Sequence, residues 1–374
     1  MREARLIHEP DELEAGLSRL RSADRLALDT EFMRERTYHP QLCLVQIATE
    51  ADCLLIDPLA GLDLAPLHEL LQDRSRLKIL HAARQDLEVL LLEGGRLPGP
   101  VFDTQVAAAL LGYPAQVGYA ELVARQLSHS LDKGQTRTDW SKRPLTAAQV
   151  AYAADDVRHL LVLHTELQSA LEARGRAGWL EQETTTYENP ALYRTDPALA
   201  WKRLKGLVRL RPREQAAARA LAEWRERRAL ESDRPRTWIL SDEALYALAT
   251  GEPDSIAALE GLDSLPPGLV RKQGQELLEL LRATRAAEPP PPLEAPRRPT
   301  DAEQGLAAAL LKLVRDEAAA LGMAPEILGT RRDVEAIAFG SVAPERSPLL
   351  QGWRSVVLGE KVLALSRPAG QASR

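Results

Sequence analysis

The chain has 374 residues, with 48 Lys and Arg against 54 Asp and Glu for a net charge of −6; 45% of its residues are hydrophobic and 27% charged. That length exceeds one ordinary core, so two or three domains are expected, and the composition is that of a soluble globular protein. No run of about 18 apolar residues is present and the mixed polar stretch after Met1 is no signal peptide, which excludes a membrane span and makes the expected location cytoplasmic.

In chain order, residues 26–32, 42–48 and 53–57 are three short apolar runs joined by polar turns, the pattern of an antiparallel meander. Helix-like and strand-like runs then alternate: 65–71, 77–81, 85–92, 101–102, 104–111 and 119–127. Such alternation predicts an α/β sheet with helices packed on it. A long helical pattern runs on from Thr146 to about residue 163. Beyond about residue 190 strands disappear. Residues 212–230, 241–249, 255–259 and 269–283 are helical by period, with Ser241 and Ser255 as caps. A proline-rich spacer covers 288–299, and a long helix is expected over 301–321. Cys43 and Cys53, the two cysteines, each lie in a strand-like run and are expected as buried structural thiols.

Three acidic fragments stand out against this pattern. Asp29-Thr30-Glu31 ends the run 26–32, Asp86 follows the run 77–81, and Tyr152-Ala153-Ala154-Asp155-Asp156 lies in the long helix. Strand alternation sends Asp29 and Glu31 out of one face and Thr30 out of the other. Tyr152 and Asp156 are four apart and share a helix face, while Asp155 points about 100° away and is expected as a solvated neighbour. Two unit charges about 4 Å apart repel by roughly 4 kcal/mol at an effective dielectric near 20, so gathered acids need cations. An all-oxygen ligand set suits Mg²⁺ or Mn²⁺. Two such ions about 3.5–4 Å apart serve metal-assisted phosphodiester hydrolysis.

These fragments resemble the three motifs of the DEDD exonuclease superfamily in its tyrosine-bearing branch. The stretch 27–46, the segment Leu131-Asp132-Lys133-Gly134-Gln135-Thr136-Arg137-Thr138-Asp139-Trp140 and Arg143-Pro144-Leu145-Thr146 are similar to the bacterial ribonuclease D family. The resemblance spans nearly the whole chain and is densest from about residue 25 to 165. It implies a ribonuclease H-like mixed-sheet α/β domain followed by two small all-α domains. The boundaries are 1–190 for the exonuclease domain, 191–287 for a first HRDC-like helical domain, 288–299 for the linker and 300–374 for a second HRDC-like domain. It also implies that Asp29, Glu31, Asp86 and Asp156 hold two divalent metal ions, and that Tyr152 positions the attacking water. A tyrosine with a pKa near 10 is a weak base at neutral pH, which favours an orienting role.

The function expected is a 3'-to-5' exoribonuclease that releases nucleoside 5'-monophosphates and trims tRNA precursors and other small structured RNAs, acting as a monomer on RNA with a free 3' end. The rival readings are a DNA 3'-5' exonuclease and a catalytically silent RNA-binding adaptor. Since the net charge is acidic, phosphate contacts must come from local patches. Arg137, Lys142 and Arg143, just before the third motif, are the candidates; the basic stretch 201–213, continued by Arg225, Arg227 and Arg228 and carrying Trp201 and Trp224, reads equally as RNA-binding surface or as a solvated helix face.

Overall fold

The computed structural model describes residues 3–132, 134–135, 138–293 and 297–367. Among these, the chain divides into two compact units: one takes in the stretches up to Met33, Leu42–Pro190 and from Arg298 onward, the other Arg34–Gln41 and Ala191–Arg297.

The first unit is built on six strands: β1 (Arg5–Ile7), β2 (Arg25–Met33), β3 (Gln41–Ala48), β4 (Cys53–Ile56), β5 (Leu77–Leu80) and β6 (Val101–Asp103). They lie in the order β1-β4-β3-β2-β5-β6. β3 and β4 are antiparallel, with Gln46 opposite Leu55, while β1/β4, β2/β5 and β5/β6 are parallel. The sheet is therefore mixed, as expected, with β2 near its middle. The apolar start of β2 (Leu26, Ala27, Leu28) is fully buried, and its polar end carries Asp29 and Glu31 out of the core. β1 was not anticipated; three residues are too few to show a period.

Up to Pro190 this unit carries the helices α1 (Pro10–Leu20), α2 (Ala65–Gln72), α3 (Arg84–Gly94), α4 (Thr104–Leu110), α5 (Tyr119–Leu127), α6 (Ala147–Arg158), α7 (Leu160–Ala173) and α8 (Ala177–Thr185). Thr146 caps α6 through a capping box: its hydroxyl accepts from Gln149 N at 3.2 Å, and the Gln149 side chain accepts from Thr146 N at 2.9 Å. The long helical pattern expected here is broken at His159, whose backbone (φ −98°, ψ −8°) separates α6 from α7.

The second unit is helical: α9 (Pro212–Ser232), α10 (Arg236–Ile239), α11 (Asp242–Gly251), α12 (Ile256–Glu260) and α13 (Pro267–Ala286). Ser241 and Ser255 cap α11 and α12, as their sequence context implied. Leu221, Trp224, Leu245, Leu248, Leu277 and Leu281 are among the residues that form its core. Residues 34–41, which leave the end of β2, belong to this unit. Tyr38 donates to Glu226 Oε1 at 2.5 Å, and the Asp233 carboxylate accepts from the backbone N–H groups of Tyr38 and His39.

The C-terminal helices correct one expectation. α14 (Asp301–Leu321), α15 (Pro325–Leu328), α16 (Arg331–Ala338) and α17 (Gly352–Ser366) were expected as a domain of their own, but they fall in the first unit. Leu310, Val314, Leu328, Ile337, Leu349 and Trp353 share one apolar core with Ala107, Ala108, Leu110 and Leu180. Trp353 stacks on Trp179 with ring centroids 4.5 Å apart and planes at 11°. Arg354 forms a two-pronged ion pair with Glu183 at 2.7 and 2.9 Å, and Ala324 N donates to Ala109 O at 2.9 Å. Backbones approach so closely at Gly112 (φ +101°) that a Cβ there would lie 2.9 Å from the Gly322 carbonyl oxygen. An amphipathic helix announces that it must bury a face, but its own residues do not say against what.

Candidate active site

A cleft of about 270 Å³ opens where β2, the start of α3 and α6 meet; Asp29, Glu31, Asp86, Tyr152 and Asp156 all line it, with Thr30, His81, Gln85 and Tyr119. Alternation along β2 presents Asp29 and Glu31 to α6, whose last turn carries Asp156. Asp29, Glu31 and Asp156 each offer a carboxylate oxygen within 4.8 Å of the others, a group able to hold a cation among the described residues. Asp86 lines the same cleft but is outside that trio; its Oδ1 accepts a 2.5 Å hydrogen bond from the Thr30 hydroxyl.

The electrostatics match this crowding. Burial raises the Asp29 carboxyl well above the ordinary carboxylate range, with the charges of Asp86, Asp156 and Glu31 adding to it. Glu31 is raised to about 9 by burial and then by Asp156 and Asp86. Burial raises Asp86 to about 7 against the opposing Thr30 hydrogen bond. Asp156 is likewise raised to about 7 by burial, although the Tyr152 phenol donates to it. All four carboxyls are thus shifted toward their protonated forms, a shift that a bound cation would oppose. Hard oxygen donors of this kind fit a divalent ion such as Mg²⁺ or Mn²⁺.

A second set of residues, not singled out from sequence, shapes the cleft. Asp103, at 1% exposure, accepts from Ala82 N at 3.0 Å, Ala83 N at 2.9 Å and Gln105 N at 2.9 Å. It so caps α4 and pins the turn at Ala82 (φ +58°) that launches α3 and Asp86. His81 lies between Thr104 Oγ1 at 2.9 Å and the Val117 carbonyl at 3.0 Å, its ring 5.6 Å from that of Tyr119. Asp103-Thr104 at a strand end is a readable N-cap signal; Tyr119 has none. Asp155 is turned away, as expected, and pairs with Arg158 at 2.8 Å.

The basic candidates fare differently. Arg137 lies outside the described residues. The Lys142 side chain is 79% exposed, with only a 3.8 Å approach to Asp139, and is free to meet a phosphate. Arg143 is not: all five of its N–H donors go to protein oxygens, so its reading as an RNA contact is corrected. In the helical unit, Trp224 is buried with Nε1 on Glu276, and Arg225, Arg227 and Arg228 are paired with Asp242, Glu223 and Glu276. Lys202, Lys205 and Arg209 are exposed.

A family profile described as 3'-5' exonuclease matches residues 4–172, and one described as HRDC domain matches residues 214–281. Ribonuclease D of Acidiphilium cryptum is 40% identical over 366 residues, covering 96% of this chain and 92% of its own length. The chain belongs to the ribonuclease D family. The Gluconacetobacter diazotrophicus ribonuclease D is also 40% identical, over 96% of the chain. The crystal structure of Escherichia coli RNase D, described as an exoribonuclease involved in structured RNA processing, superposes with a TM-score of 0.86 at 33% identity, covering 97% of this chain and 98% of that one. The ribonuclease H-like mixed-sheet fold and the 3'-5' exoribonuclease activity expected from sequence are those of this family, and the exonuclease superfamily is metal-dependent. None of the described helices is long and apolar enough to cross a membrane.

Proposed function

We propose that Asp29, Glu31, Asp86 and Asp156 hold two divalent ions, Mg²⁺ or Mn²⁺, and that Tyr152 orients the water that attacks the last phosphodiester of an RNA 3' end. The observation that carries this reading is the convergence of Asp29, Glu31 and Asp156 within 4.8 Å, with every acid of the cleft pushed up in pKa. Bound there, the ions would supply Lewis acidity toward the phosphate and lower the pKa of the attacking water. The chain's own residues do the placing. β2 and α6 hold three carboxylates at one point, the Thr30 hydroxyl favours the anionic form of Asp86 against the burial that raises its pKa, and the Tyr152 phenol sits on Asp156, one hydrogen bond from the ligand set. A free phenol, with a pKa near 10, is a weak base at neutral pH, so the chemistry of the group suits orienting the water rather than deprotonating it.

The substrates are tRNA precursors and other small structured RNAs with a free 3' end, met by a monomer in the cytoplasm, where the buried thiols of Cys43 and Cys53, joined in no disulfide, suit a reducing compartment. Lys142 is the backbone contact beside the third motif. The test is digestion of a 5'-labelled RNA with and without chelator, by the wild type and by Asp29→Asn, alongside a DNA oligonucleotide of the same sequence. A ladder shortening from the 3' end, lost with chelator and in the variant while RNA binding stays within about threefold, is the expected result. Equal digestion of DNA would overturn the substrate assignment, and activity in chelator the metal assignment.

A further inference from the structure

We propose that Arg143, clamped to Asp57, is a positioning residue for catalysis: it sets where α6 lies along the sheet and thereby where Tyr152 and Asp156 stand over Asp29 and Glu31. The inference rests on the reading of the site given above.

The Arg143 guanidinium donates side-on to Asp57, Nε to Oδ2 at 2.5 Å and Nη2 to Oδ1 at 2.7 Å. Nη2 also reaches the Cys43 carbonyl at 2.6 Å, and Nη1 the carbonyls of Trp140 and Lys142 at 2.7 and 2.8 Å. Cys43 is on β3 and Asp57 directly follows β4. One planar group thus bolts two sheet strands to the segment that enters α6. Asp57 is itself fixed, being 5% exposed, accepting from Leu59 N at 2.9 Å and donating its own N–H to Ile7 O on β1 at 2.9 Å. The helix cap Thr146 comes three residues after Arg143, and the first turns of α6 follow at once.

The need for a bolt at this end lies in what α6 presents to the sheet. Its fully buried residues are Ala153, Ala154 and Val157. Alanines let a helix lie close, but they offer little relief to interlock with a sheet surface and resist sliding. A slip of a single residue moves a helix by about 1.5 Å along its axis, a large displacement for a cluster whose oxygens lie within 4.8 Å of one another. The clamp also seats Trp140, 2% exposed, which packs with Leu44, Leu55 and Ala153 and lies 6.1 Å from the Tyr152 ring. No lysine could substitute: it has three donors on a point charge, without the flat fork that meets a carboxylate and three carbonyls together.

The experiment compares Arg143→Lys and Asp57→Asn with the wild type and with Asp156→Asn as reference, on a short single-stranded RNA. Rates are normalised to folded protein by circular dichroism. Both clamp variants are expected to lower kcat by about 10- to 100-fold, the scale on which small misplacements act, while KM stays within about twofold and the salt dependence of kcat/KM keeps its slope. A phosphate contact would do the reverse for Arg143→Lys, raising KM with kcat kept, and would leave Asp57→Asn unharmed, since an acid touches no phosphate. Either that pattern, or wild-type kcat in a folded clamp variant, overturns the proposal. So does failure of both variants to fold, which would assign the clamp to stability alone. Persistent activity in Asp156→Asn would instead remove the reading of the site on which the inference stands.

Discussion

Thr30, flanked by two acids of the cleft, donates its hydroxyl to the third: Oγ1 lies 2.5 Å from Asp86 Oδ1. Strand alternation turns Thr30 away from Asp29 and Glu31, yet α3 brings Asp86 within its reach, so one strand serves the cluster from both faces. The bond lowers the Asp86 pKa against the burial that raises it to about 7. In Thr30→Val the shape stays and the donor goes, so Asp86 keeps its proton more tightly and competes less well for a cation. Hydrogen bonds to a charged group contribute about 1.5–3 kcal/mol. The divalent-ion concentration for half-maximal rate should therefore rise roughly tenfold at pH 7. Titrating Mg²⁺ at pH 7 and again near pH 9 checks this, because the deficit should shrink at the higher pH, where protons compete less.

Tyr152→Phe removes two things at once. The attacking water loses an orienting oxygen, and Asp156 loses the phenol that holds its pKa down. Loss of a group that positions the attacking nucleophile costs about 10²-fold in rate, and kcat should fall on that scale. The second loss has its own signature. With the donor gone, Asp156 is raised further, so the acid limb of the pH–rate profile should move to higher pH. A profile that only drops, without moving, would separate the phenol from Asp156.

The raised acids also fix how stability responds to pH without metal. Glu31 near 9 and Asp86 and Asp156 near 7 all exceed their unfolded values near 4. The folded state therefore holds protons that the unfolded state lacks, and the stability these groups contribute is present at low pH and lost as pH climbs through their folded values. In chelator, Tm should fall between about pH 6 and 9. Divalent ions bind the deprotonated cluster, so the rise in Tm that they give should grow across the same window. Lys78, lowered to about 8 by burial, works in the opposite sense, but equally with and without metal. The difference between paired melts isolates the acids, and an increment that does not change with pH would contradict the assignment.

Much of the site was legible because its residues obey short-range periods. The two-residue repeat of β2 and the four-residue spacing on α6 are local facts, and the structure realises both: Asp29, Glu31 and Asp156 meet. Thr30 was placed on the correct face and given no role, because its partner comes from α3, 56 residues away. Arg143 was misread for a related reason. Its charge suggested solvent and phosphate, whereas Asp57 and the Cys43 carbonyl, which consume that charge, lie 86 and 100 residues back along the chain. The helices at 301–321 and beyond were legible as helices. Their burial against α4 and α8 was not, since an apolar stripe carries no address for its partner.

That misplaced boundary has a measurable consequence. Were α14–α17 a separate module, breaking their contact with the exonuclease fold would leave catalysis on short RNA intact. Trp353 instead sits at 3% exposure in the shared core, stacked on Trp179, with its Nε1 donating to Glu183 at 2.7 Å. Replacing a buried tryptophan by alanine costs about 3–5 kcal/mol in such a setting, through lost burial and the cavity left behind, and here it also strands the Glu183 carboxylate beside Arg354 alone. Trp353→Ala should lower the urea midpoint of the exonuclease fold itself, followed through far-UV dichroism and through loss of nuclease rate on a short single strand. Truncation before residue 300 should go further and leave a chain that aggregates, because Ala107, Ala108 and Leu110 would lose their cover. A truncated protein that is monodisperse and fully active on short RNA would instead mean that the shared core contributes nothing the exonuclease fold requires.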